Sequence, residues 1–148
     1  MGLPAPEPRQ PVATLEPLPA TPALPSGRIL VAQDGEYLGV VSCNEYDSEG
    51  IFSRYGLYGG QYSSTSIWNR YGTYGGRYGT YSAFNKYSAS PPEIRDGGSF
   101  VGYLTVNSYT APAIHPADLV NSCFDYGTSA WEYWMSLVTE RDRIERLP

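Results

Sequence analysis

The chain has 148 residues, room for one domain, and carries a formal net charge of −5 with 14 tyrosines and 16 glycines. An excess of acid excludes the phosphate-neutralising surface of a nucleic-acid binder, and no stretch approaches the ~20 apolar residues of a membrane span. One histidine and two cysteines without CxxC spacing leave no zinc motif and little catalytic chemistry.

Residues 1–27 carry a proline every few positions. Proline fixes φ and removes a backbone donor, so this stretch is predicted to be a disordered, Pro-rich leader or linker. No basic start followed by an apolar run is visible, so no signal peptide is read here. The remainder, 28–148, is predicted to be a single domain.

Asp34-Gly35 stands between apolar runs, a hairpin signal because a tight type I′ turn needs positive φ at its centre. Residues 28–33 are predicted to pair with 36–42 in a first hairpin over 28–45. Asp96-Gly97 marks a second hairpin over 93–109, pairing 93–95 with 99–107. Gly39 and Gly102 interrupt the two at matching places, which predicts a bulge or a close backbone approach.

Between the hairpins three sixteen-residue blocks align without gaps, at 46–61, 62–77 and 78–93. Each begins with Tyr and carries an apolar-aromatic pair at places six and seven: Ile51-Phe52, Ile67-Trp68, Ala83-Phe84. Asn or Ser, then Arg or Lys, then Tyr follow. One such unit cannot bury its apolar face alone, so the pattern predicts three stacked coils with Phe52, Trp68 and Phe84 in one dry row. The Gly59-Gly60 and Gly75-Gly76 pairs predict positive φ or tight passage.

After the second hairpin the tail predicts helices within 115–146. His115-Pro116 opens one, with Pro at its first position. Asp125-Tyr126-Gly127 breaks it, and Ser129-x-x-Glu132 fits a capping box for a second helix from about 130 to 146. Its Trp-rich side would pack on the β part or dock on a partner. Cys43 and Cys123 are either a disulfide or two buried thiols. The predicted fold class is therefore β-rich, with three stacked coils between two β-hairpins and a C-terminal helical segment.

The strings DGEYLGVVSCNEYDSEG, SIWNRYGTYGG, YSAFNKYSASPP and GSFVGYLTVNSY together resemble an uncharacterised bacterial family of small Tyr/Gly/Asn-repeat proteins. The resemblance covers about 33–109 and implies export, since many members look exported. Ser53 departs from the usual Asn, and Gly60 and Gly76 stand where Ser is frequent.

These readings point to a non-catalytic structural or binding module of the cell envelope or exterior, with no catalytic residue, cofactor or metal. His115 reads as a turn residue, and Asp47-Ser48-Glu49-Gly50 as a turn in preference to a calcium loop. One alternative is a glycan or cell-wall binding domain, in which tyrosine faces stack on sugar rings. Its candidate contacts are Tyr58, Tyr74, and the ladder Arg54, Arg70 and Lys86. Another is a protein-interaction subunit that docks through Trp131 and Trp134. Expected partners are thus a polysaccharide or a protein, and neither nucleic acid nor a membrane span.

Overall fold

In the computed structural model, which describes residues 27–146, strand β1 (Arg28–Val31) runs antiparallel to β2 (Tyr37–Val40) across loop 32–36. The Pro-rich leader lies outside the described residues. Strand β3 (Glu93–Asp96) turns into β4 (Ser99–Leu104) through Gly97-Gly98, whose φ values of 61° and 89° are those a two-residue hairpin turn needs. A two-residue β5 (Ala113–Ile114) pairs parallel to β4. Leu30, Leu38, Ile94 and Leu104 point inward from four of these strands. Gly39 combines the expected bulge with close approach: the β1/β2 register shifts beside it, and a Cβ there would lie 2.6 Å from the Tyr58 Cβ.

The expected fold class is corrected in two respects. The hairpins are not separate brackets, because β1 pairs with β3 in the register Arg28↔Asp96 to Val31↔Glu93. Among the described residues they form one mixed five-stranded sheet, in the order β2-β1-β3-β4-β5. Nor is the fold β-rich, since helices α1 (Pro116–Cys123, 8 residues) and α2 (Ser129–Arg146, 18 residues) hold as large a share as the strands, 18 % each.

The repeats contain no strand, and three stacked β coils are not what they build. They are a run of turns sharing corner residues. The N–H of each corner donates to the carbonyl of the corner before it: Gly50 to Asp47, Ser53 to Gly50, Gly56 to Ser53, at 2.9–3.1 Å. One step per unit is longer, Gly60 to Gly56 and Gly76 to Gly72, both 3.0 Å. Four steps of three residues and one of four give the sixteen-residue period. Gly, Ser and Asn occupy most corners because turns tolerate them, and the corner N–H groups are spent within the turns and not on a ladder. Gly59 and Gly75 meet the tight-passage expectation: a Cβ at Gly75 would lie 2.4 Å from the carbonyl oxygens of both Ile67 and Asn69.

Corner side chains aim the residue two places on. The Ser66 and Ser82 hydroxyls accept from Trp68 and Phe84 N–H, each at 3.0 Å, and those rings go inward. Phe52, Trp68 and Phe84 form a buried row with centroids 5.9 and 5.7 Å apart. Burying a ring of this size removes ~150–250 Å² from water, roughly 4–6 kcal/mol gross. Trp68 also satisfies its indole N–H, which donates to the Ile51 carbonyl at 2.7 Å.

Helix α2 covers this row, not the sheet. Trp134 sits 5.2 Å from Phe52 and 5.1 Å from Trp68, with Leu137 and Val138 buried beside it. The helix is capped one residue before the expected place: Thr128 Oγ1 accepts from Trp131 N–H at 3.3 Å. His115 caps α1, its Nδ1 accepting from Ala117 N–H at 3.0 Å. Cys43 and Cys123 are joined by a disulfide, which ties the loop after β2 to the end of α1. Among the described residues no helix is long and apolar enough to cross a membrane.

Candidate functional site: a row of tyrosine-walled clefts

Seven tyrosines of the repeat and its borders, Tyr46, Tyr55, Tyr62, Tyr71, Tyr78, Tyr87 and Tyr109, are 77–95 % exposed. A large half-apolar ring normally finds cover, so seven largely exposed rings recurring along the repeat and its borders stand out among the described residues. Four of the seven have their backbone fixed by a corner asparagine. Asn44, Asn69, Asn85 and Asn107 each accept, through Oδ1, the N–H of the tyrosine two residues on, at 2.9–3.0 Å. The Asn69 and Asn85 amides also donate to the Ser63 and Gly79 carbonyls, locking one turn to the next. In the first repeat Ser53 stands at this corner and lacks that amide.

Clefts open between three pairs of these rings. Tyr46 and Tyr55 wall one of about 520 Å³, with Glu45 and Arg54 at its edge. Tyr55 and Tyr62 wall the next, about 510 Å³, together with Arg54, Leu57 and Gln61. At the far end Tyr87 and Tyr109 enclose about 350 Å³ with Lys86 and Asn107. Tyr55 and Arg54 belong to both of the first two, so the two clefts adjoin across the Tyr55 wall and together make up a divided trough. Its lining is ring faces, hydroxyls and amide groups, a set that can stack on a flat apolar face and hydrogen-bond around it.

The sequence-predicted contacts are distributed differently. Tyr58 is half-buried against Tyr37, centroids 5.1 Å apart, and Tyr74 is buried with its hydroxyl donating to Asp34 at 2.7 Å. Burial and the neighbouring Asp34 push the Tyr74 phenol up to about 12, and burial with the nearby Glu49 raises that of Tyr58. Both therefore lie on the sheet side, away from the trough. The ladder splits into three settings. Arg54 stacks on the Tyr133 ring, 3.6 Å from its centroid. Arg70 pairs with Glu140 of α2 at 2.5 Å. Lys86 lies over Tyr87 at 5.6 Å. Trp134 is fully buried, and Trp131 packs on Tyr126 while its N–H donates to Asn121 at 2.8 Å. Arg54 and Lys86 thus join the clefts, whereas Tyr58, Tyr74, Arg70, Trp131 and Trp134 do not line them.

Sequence reasoning passed over the exposed set, although a local signal marks it. The residue before each exposed repeat tyrosine is charged or long and polar: Glu45, Arg54, Gln61, Arg70, Arg77, Lys86. Before the inward-facing Tyr58, Tyr74 and Tyr81 stand Leu57, Thr73 and Thr80. Compared with family models, with curated proteins and with solved structures, the chain matches none.

Proposed function

We propose that this protein is a non-catalytic binding module of the cell exterior that holds a sugar polymer along its row of exposed tyrosines. One observation carries the reading: recurring, largely exposed tyrosines flank three clefts, two of which share the Tyr55 wall. Sugar rings present a flat C–H face to an aromatic ring and hydroxyls to its surroundings, and Asn107, Gln61 and Ser63 stand beside the tyrosines. The Cys43–Cys123 disulfide supports an oxidising compartment, where such bonds persist. The single histidine is spent as a helix cap, which favours binding over acid-base catalysis. Membership of the Tyr/Gly/Asn-repeat family belongs to the same proposal.

The test is retention of the protein by soluble and insoluble polysaccharides, with and without the double change Tyr55→Ala, Tyr62→Ala. Both side chains are exposed, so thermal unfolding should stay where it is while retention drops. Equal retention of wild type and variant, or retention by no polysaccharide, refutes the reading.

A further inference from the structure

We infer that the polymer is anionic, a linear glycan carrying one carboxylate or sulfate where Arg54 lines the trough. The inference rests on the reading of the clefts as sugar sites and adds to it the charge of the ligand. In a chain of net charge −5, the two clefts that share the Tyr55 wall are both lined by the same cation, Arg54. The second of them has no acidic residue in its lining. The first also carries Glu45, whose Oε2 accepts from the Trp134 indole N–H at 3.3 Å, so the second cleft is the one in which Arg54 stands without an acid beside it. Arg54 forms no ion pair among the described residues, in contrast to Arg70, which Glu140 neutralises.

Arg54 is also held in place. Its guanidinium rests on the Tyr133 ring, whose hydroxyl accepts from Gln61 Nε2 at 2.8 Å, and Gln61 is itself part of the second cleft. Stacking leaves the guanidinium edge, with its forked N–H donors, available to an anion lying over the trough. Because Tyr55 is common to both clefts, two successive sugar units would lie one on each side of its ring. The unit in the second cleft, where no acid lines the wall, is the one whose acidic substituent would reach Arg54.

The test is calorimetric titration with matched pairs: oligogalacturonate against its methyl ester, and dextran sulfate against dextran, at low and high salt. The charged member should bind at least about fivefold tighter, and the advantage should shrink with salt. Arg54→Gln should abolish the advantage and leave the residual affinity for the neutral member, and Arg54→Lys should restore part of it. A preference confined to dextran sulfate assigns a sulfate, and one confined to galacturonate a carboxylate. Equal affinity for charged and neutral members overturns this inference and leaves the sugar-binding reading standing. Binding of none of the four overturns this inference, whereas the sugar-binding reading falls only if the wider polysaccharide panel retains nothing.

Discussion

The 80-residue separation of Cys43 and Cys123 sets the size of the effect when their bond is removed. The closed loop contains all three repeats, the second hairpin and most of α1, so the unfolded chain is tethered across most of the domain. The chain-entropy relation gives about 4.5 kcal/mol at 25 °C for a loop of that length. Domains of this size are stable by only about 5–15 kcal/mol, so the bond supplies a large share. The native state also loses the tie next to Phe124, whose ring packs edge-on against Phe52 at 5.1 Å. The experiment is urea unfolding of the oxidised protein against the Cys43→Ser, Cys123→Ser double variant. With a slope of ~2 kcal/mol/M the midpoint should fall by roughly 2 M. A fall worth less than ~1 kcal/mol would refute the argument that the bond acts by restraining the unfolded chain.

Gly75→Ala should destabilise by ~1–3 kcal/mol, because the added carbon meets two backbone carbonyls that cannot swing away, whereas Gly72→Ala, which faces the Asn69 side chain at 3.3 Å, should cost less; comparing the two denaturation midpoints checks this. Tyr74, buried and hydrogen-bonded to Asp34, is raised from 10.0 to about 12, so its contribution is whole below about pH 10 and is lost as pH rises through 12. Urea melts between pH 9 and 12 should show that loss, and Tyr74→Phe should lessen it, the remainder belonging to Tyr37 and Tyr58, whose phenols burial also pushes up. Arg141 is buried over Phe84 with its Nε unpartnered, and burial lowers its pKa to about 10. Arg141→Met should therefore cost no more than ~1 kcal/mol, while Arg141→Ala leaves a cavity and should cost ~2–4. Equal losses would instead assign the stability to the hydrogen bond that Arg141 donates to the Trp68 carbonyl.

The parts of this fold legible in the sequence are those set by local chemistry. Asp34-Gly35 marks the first hairpin turn, Asp96-Gly97 marks the second one residue before the observed Gly97-Gly98, His115-Pro116 opens α1, and the aliphatic-aromatic pairs at Phe52, Trp68 and Phe84 identify the dry row. What the period could not convey was how the repeats satisfy their backbone. A sixteen-residue interval is compatible with laddered coils or with chained turns, and only the spacing of Gly, Ser and Asn at nearly every third place separates them. The pairing of β1 with β3 is a contact between residues more than sixty positions apart in sequence, and neither hairpin's own pattern encodes it. The candidate site suffered from the same ambiguity. Tyr55 and Tyr58 belong to one block and differ outwardly only in the residue before them, yet one wall of the trough is made by the first and part of the sheet-side packing by the second.

The most direct measurement is an NMR titration of the isotopically labelled protein with an oligosaccharide it retains, following backbone amides and tyrosine ring signals together. The account predicts shifts concentrated at residues 45–63, with a weaker set at 86–87 and 106–109, and rings of Tyr46, Tyr55 and Tyr62 moving while Tyr58 and Tyr74 stay still. Shifts centred on the sheet or on the exposed side of α2, with those three rings unmoved, would contradict it.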